Sequence, residues 1–156
     1  MNRRTTAILV ATMALFGTNF SHATDPNRAI ADARTSTKIF NVQRFGAVGD
    51  GVAMNTKAVQ ESIDACHDTG GGIVRVPAGN FQIGTIILKS NVTLSLDYGA
   101  TLLGSTNADD YTTEGLDDPR EGGPHCLIYA DSATNVAIEG LGVIDGRGTA
   151  ENFPRN

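Results

Sequence analysis

The chain has 156 residues, of which 40% are hydrophobic and 19% charged, a globular composition of about one domain rather than a disordered or membrane-spanning one. Twelve basic groups against 17 acidic ones leave a net charge of −5, which argues against a nucleic-acid binder. Two cysteines and three scattered histidines (His22, His67, His125) exclude a disulfide-dense miniprotein, a four-cysteine zinc site and a His-Glu-x-x-His metal motif.

Arg3 and Arg4 precede an apolar run over residues 7–16 that is too short to span a bilayer, and Ser21-His22-Ala23 fits small-x-small cleavage. Residues 1–23 are therefore expected to be a secretory signal peptide cut after Ala23, sending the remainder to the periplasm or outside the cell. Cleavage of residues 1–23 removes two arginines and no acids, so 10 basic and 17 acidic groups remain, a charge of −7. Residues 24–38 are polar and aperiodic and are expected to form a flexible leader. The domain proper is expected over 39–156.

Residues 39–45 alternate weakly and predict a strand, and the three glycines of 46–51 predict a loop. Asn55 is placed to N-cap a helix over 56–68, with Val59, Ile63 and Cys66 on one face and Gly70-Gly71-Gly72 as its stop. Short strands are then expected at 73–76, 81–88, 92–96, 101–103, 127–129, 136–138 and 143–144. The polar stretch 105–125, with six acids, predicts a long loop.

The sequence echoes itself. Ser90-Asn91-Val92-Thr93-Leu94 is matched 44 positions later by Thr134-Asn135-Val136-Ala137-Ile138. Residues 99–104 are matched more loosely by 141–146. Short strands at an interval, punctuated by Gly and Asn and with few two-residue turn signals, favour an all-β solenoid over a hairpin-built sandwich. The expected fold is a right-handed parallel β-helix whose open N-terminal end is covered by one short α-helix. Asn tolerates the left-handed corners of such coils, and stacked Asn side chains can hydrogen-bond along the stack. An oxidising compartment permits a Cys66–Cys126 disulfide; simple core packing of Cys66 is the alternative.

The motifs Phe45-Gly46-Ala47-Val48-Gly49-Asp50-Gly51, Asn55-Thr56-Lys57-Ala58-Val59-Gln60 and the run from Gly70 to Gly79 resemble the N-terminal part of the polygalacturonase-like glycoside hydrolases, family 28. The stretch from Leu88 to Ser105 and Val143-Ile144-Asp145-Gly146-Arg147-Gly148 extend the likeness over about residues 40–148. The resemblance implies hydrolysis of α-1,4 linkages between galacturonic acids, with inversion, on a pectic polysaccharide partner and with no cofactor. It leaves the pectic backbone, and terminal or internal cleavage, open.

Inverting glycosidases need one carboxylic acid to protonate the leaving oxygen and a second carboxylate to activate water. The family draws these from Asn-Thr-Asp and Gly-Asp-Asp or Gln-Asp-Asp, and adds Gly-His-Gly and Arg-Ile-Lys. None of the four occurs in the 156 residues. The chain is accordingly expected to be an N-terminal, catalytically silent portion of such an enzyme. Substitutes do not match: Asp109-Asp110 and Asp117-Asp118 read as solvated acidic loop, Asp145 as a turn former and His125 as a loop residue. No catalytic residue and no metal ligand is named. Asn91-Val92-Thr93 fits the glycosylation triplet, weakly. Two rival functions are a non-catalytic β-helix that binds saccharide and a β-helix pectate lyase; the latter commonly uses Ca²⁺, for which no carboxylate cluster is evident. The polyanionic substrate poses a puzzle, because the acidic chain would repel it unless a local basic cleft intervenes. Residues 106–123 read as a cleft rim or a plain acidic loop.

Overall fold

A computed structural model describes residues 37–111 and 126–149. The expected signal peptide, nearly all of the leader, Asp117-Asp118 and His125 lie outside the described residues. The elements are β1 (Ile39–Asn41), β2 (Asp50–Met54), α1 (Thr56–Asp68), β3 (Gly72–Val76), β4 (Gly79–Ile83), β5 (Ile86–Ile87), β6 (Val92–Leu96), β7 (Ala100–Gly104), β8 (Ile128–Tyr129), β9 (Ala137–Gly140) and β10 (Val143–Asp145). Sheet one runs β1-β3-β6-β9, sheet two β2-β4-β7-β10, and sheet three pairs β5 with β8. Every pairing is parallel, and the two middle coils, β3-β4-β5 and β6-β7-β8, each lay one strand on each sheet. The fold is a right-handed parallel β-helix, the hand that parallel crossovers almost always take.

The core is a set of columns running through the coils. Phe40, Val74, Leu94 and Ile138 share one register position on sheet one, and Phe81, Leu102 and Ile144 share one on sheet two. Val74, Leu94, Phe81 and Leu102 are fully buried, each contributing about 2–3 kcal/mol of transfer free energy. In the last described coil the same columns open out: Ile138 is 47% and Ile144 43% exposed.

The predicted echo is the coil register itself. Thr93 pairs with Ala137, 44 positions on, and Thr101 with Val143, 42 positions on. An uninterrupted coil is shorter, since Ile73 pairs with Thr93, 20 positions on. The difference is the stretch between β7 and β8, inserted without disturbing either neighbour.

The corner before sheet one carries the predicted ladder. Asn91 and Asn135 both have left-handed backbones (φ 65° and 55°), and the Asn135 Nδ2 donates to Asn91 Oδ1 at 3.1 Å. Gly71 (φ 105°) holds the same corner one coil earlier, where a Cβ would come within 2.4 Å of the Asn91 carbonyl oxygen.

Helix α1 has the predicted bounds and occupies the place that sheet three would take in the first coil. Its buried face, Ala58, Val59, Ser62, Ile63 and Cys66, covers the end of the core. The Gly71 N–H donates to the Cys66 carbonyl and the Gly70 N–H to that of His67, a Schellman ending. Lys38 Nζ donates to the Thr69 carbonyl at 2.7 Å, placing a cation at the helix C-terminus. Gln60 does the work of an absent strand: its Oε1 accepts from Ile87 N–H at 2.8 Å and its Nε2 donates to the Ile87 carbonyl at 3.1 Å.

Several expectations are corrected. The strand over 39–45 ends at Asn41 and continues as a 3₁₀ turn, Val42–Phe45, because Asn41 Oδ1 accepts the Gln43 N–H and Gly46 closes the turn at φ 94°. Part of the predicted loop is strand β2. Its register against β4 is irregular, Asp50 opposite Asn80 but Met54 opposite Gln82, which hides the alternation. Residues 81–88 are two strands on two sheets, separated by a corner at Gly84 and Thr85. Asn55 stands at the start of α1, yet its side chain does not cap the helix. It is buried and bonded to the preceding loop: Oδ1 accepts from Val48 N–H at 2.6 Å, and Nδ2 donates to the carbonyls of Val48 (3.0 Å) and Ala53 (2.6 Å). Cys66 and Cys126 are both free thiols. Cys66 is packed into the core beneath α1, the alternative to the bridge, and burial pushes both thiols up in pKa.

Candidate functional site

Strands β4, β7 and β10 end at one corner of sheet two, and the long insertion leaves from there. Asp110, Asp145, Gln82, Ser105, Tyr111 and Arg147 belong to a connected network at this corner. Of these, only Asp110 and Asp145 were weighed as site residues from the sequence.

The insertion starts as a hydrogen-bonded turn anchored to sheet two. After β7 the Ser105 N–H donates to the Ile83 carbonyl at 2.8 Å. A 3₁₀ turn over Ala108–Asp110 follows, started by Asn107, whose Oδ1 accepts the Asp109 N–H at 3.2 Å. Ser105 is buried; its hydroxyl accepts the Asn107 N–H at 3.1 Å and donates to the Asp110 carboxylate. The buried Tyr111 donates its hydroxyl to the Ser105 carbonyl at 2.7 Å. Burial raises the Tyr111 phenol pKa and the Asp110 charge adds to this, while the Arg147 charge opposes them. Gly84 makes room, since a Cβ there would overlap the Asp110 carbonyl oxygen. Asp109 is exposed as expected, but Asp110 is half-buried and engaged, a correction to the reading of this pair as solvated.

Asp145 closes a turn, as expected: its Oδ1 accepts the Arg147 N–H at 2.9 Å, and Arg147 adopts φ 46°. The Arg147 side chain then reaches back across two coils. Its Nε donates to the Gly104 carbonyl at 2.6 Å and its Nη2 to Gln82 Oε1 at 3.0 Å. The arrangement fixes a cation beside the outer face of sheet two. The Asp110 carboxylate accepts from the Ser105 hydroxyl, and the exposed Asp145 carboxylate accepts from the Arg147 N–H through Oδ1. Among the described residues no three His, Cys, Asp or Glu side chains converge as metal ligands. The sequence carried one missed signal for Arg147: it stands 43 positions after Gly104, one coil on in the echo.

The comparisons with known proteins follow this architecture. Residues 39–140 match the family model described as rhamnogalacturonase A/epimerase, pectate lyase-like. An exo-poly-alpha-D-galacturonosidase of Dickeya chrysanthemi is 40% identical over 134 residues, covering 80% of this chain and 22% of the relative. The structure of a family 28 exopolygalacturonase of Yersinia enterocolitica is similar at 43% identity with a TM-score of 0.64, covering 72% of this chain and 21% of that one. A shorter likeness, 46% over 61 residues, joins 34% of this chain to 4% of the mannuronan C5-epimerase AlgE1 of Azotobacter vinelandii. The chain thus spans about a fifth of its longer-matching curated relative. With coils, cap and family model in agreement over most of its length, the chain belongs to the rhamnogalacturonase A/epimerase, pectate lyase-like family of β-helix proteins.

Proposed function

We propose that this chain supplies the first coils and the helical cap of an exported polygalacturonase. The enzyme hydrolyses α-1,4 linkages between galacturonic acids of pectic polysaccharide, with inversion and from chain ends. The observation that carries this reading is the 40% identity over 134 residues to an exo-poly-alpha-D-galacturonosidase. The Yersinia exopolygalacturonase supports the same end-acting mode. Export rests on the composition of residues 1–23 and suits a polysaccharide substrate outside the cell. Within such an enzyme these coils hold and orient substrate, and the acid and base carboxylates come from elsewhere in the protein.

The test is expression of the complete reading frame that carries this chain, followed by incubation with polygalacturonate. Release of galacturonic acid or its dimer, with inverted anomeric configuration by NMR, is the expected result. Unsaturated, ultraviolet-absorbing products would replace the reading by a lyase. Epimerised sugar without new reducing ends would replace it by an epimerase, the class of the 61-residue match. The 156 residues alone lack all four catalytic motifs and are expected to release no reducing ends. Pectin binding by them without hydrolysis would favour a saccharide-binding role for the isolated chain.

A further inference from the structure

Six lysines and arginines lie among the described residues, and they differ in how their charge is met. Lys57 pairs with Glu61 at 3.8 Å, Arg75 with Asp97 at 2.7 Å and Lys89 with Asp64 at 2.9 Å. Lys38 serves the end of α1. Arg44 is exposed at the end of a 3₁₀ turn. Arg147 is different: half-buried, it is held by two neutral acceptors, and no carboxylate among the described residues forms an ion pair with it. Asp145, its near neighbour, bonds the Arg147 backbone N–H instead of the guanidinium.

The geometry of those two bonds matters. Nε–H and Nη2–H form the lateral edge of the guanidinium, and both are taken. The remaining edge keeps an N–H on each of Nη1 and Nη2, at the spacing of the two oxygens of a carboxylate. Because Gly104 and Gln82 lie on two successive coils, the planar group is oriented before any ligand arrives, and little side-chain freedom remains to be lost on binding. In a chain of net charge −5, a polyanion needs such a fixed local cation to approach.

We propose that Arg147 is a carboxylate-binding residue for an acidic sugar, receiving one uronate at the corner of sheet two with its free N–H edge. The assignment deepens the reading of the chain as part of a polygalacturonase and rests on it. Its ligand chemistry, a uronic acid carboxylate, is shared by galacturonan and mannuronan.

The experiment measures binding of fluorescently labelled oligomers to the 156-residue chain by anisotropy. The probes are trigalacturonate, its uncharged methyl ester and trimannuronate. The wild type is expected to bind trigalacturonate about tenfold more tightly than the ester, the scale of a charge-assisted pair. Arg147→Met is expected to lose that preference, with trigalacturonate and its ester then bound about equally. Arg147→Lys restores the charge without the fork and is expected to recover part of it. Should Arg147→Met fail to fold, as judged by its circular dichroism, Arg147→Lys carries the test, and an undiminished acid-to-ester ratio in that variant overturns the proposal. Equal binding of acid and ester, or a preference that survives Arg147→Met, overturns the proposal and leaves the polygalacturonase reading intact. Arg147-dependent binding of trimannuronate but not trigalacturonate upholds the residue's role and overturns galacturonan as the substrate. Binding of none of the three overturns the proposal, and the activity of the complete reading frame then decides the enzyme reading by itself.

Discussion

Replacing Asn55 by Asp separates two roles for that residue. If Asn55 were the helix cap that its position suggests, Asp would serve as well and would gain about 0.5 kcal/mol from the helix dipole. The structure demands an amide instead. Oδ1 accepts one bond at 2.6 Å, and Nδ2 donates two, at 3.0 and 2.6 Å, to the carbonyls of Val48 and Ala53. A carboxylate keeps the first bond, loses the other two and turns a negative oxygen toward two carbonyl oxygens at a site 2% exposed. Two lost bonds at about 1 kcal/mol each, plus carbonyls left facing no donor, give a loss of about 3–5 kcal/mol. Urea unfolding followed by circular dichroism at pH 7 is expected to show a midpoint lower by about 2 M, with a slope of about 1–2 kcal/mol per molar. The loss has a pH signature. Burial raises the folded-state pKa of the new carboxyl above its unfolded value of about 3.9. The folded form then binds the proton more tightly, so the penalty is full above the folded pKa and shrinks as pH falls toward about 4. An Asn55→Asp protein within about 0.5 kcal/mol of wild type at pH 7 would refute the reasoning and restore the capping role.

Two further outcomes follow from the same geometry. Gly70 and Gly71 are both left-handed, at φ 96° and 105°, but only Gly71 faces the Asn91 carbonyl. Thermal melts are expected to show Gly70→Ala costing about 1 kcal/mol and Gly71→Ala at least about 3 kcal/mol or the fold itself; equal effects would contradict the corner packing. Thiol titration of the unfolded, unreduced chain is expected to count both cysteines, and a count near zero would establish the bridge. In the native protein the half-buried Cys126 is expected to react first and the fully buried Cys66 slowly, because burial raises its pKa and blocks access.

The solenoid was legible because its repeat leaves a trace wherever the corner needs a special backbone. Asn91 and Asn135 marked the register through their tolerance of positive φ, and α1 was marked by its apolar face and its glycine stop. What stayed hidden was long-range or two-sided. Strand β2 lies at the edge of its sheet with a bulged pairing, so no alternation betrays it. Residues 81–88 read as one strand because apolar residues continue through the corner at Gly84. The site was hardest, since Gln82, Ser105, Tyr111 and Arg147 meet only after the coils stack. An arginine 65 positions from its glutamine partner leaves no local pattern.

The amide of Gln60 also gives the solenoid a polarity. Ile87 spends both its N–H and its carbonyl on that side chain, whereas Ile86 and Leu88 donate toward the next coil. A strand arriving from the helix side therefore finds the first rung of sheet three already taken, while the opposite side of β5 pairs with β8. On sheet three, pairing is thereby steered to a single direction: the glutamine works as a ratchet pawl, letting rungs of that sheet be added after it and none before.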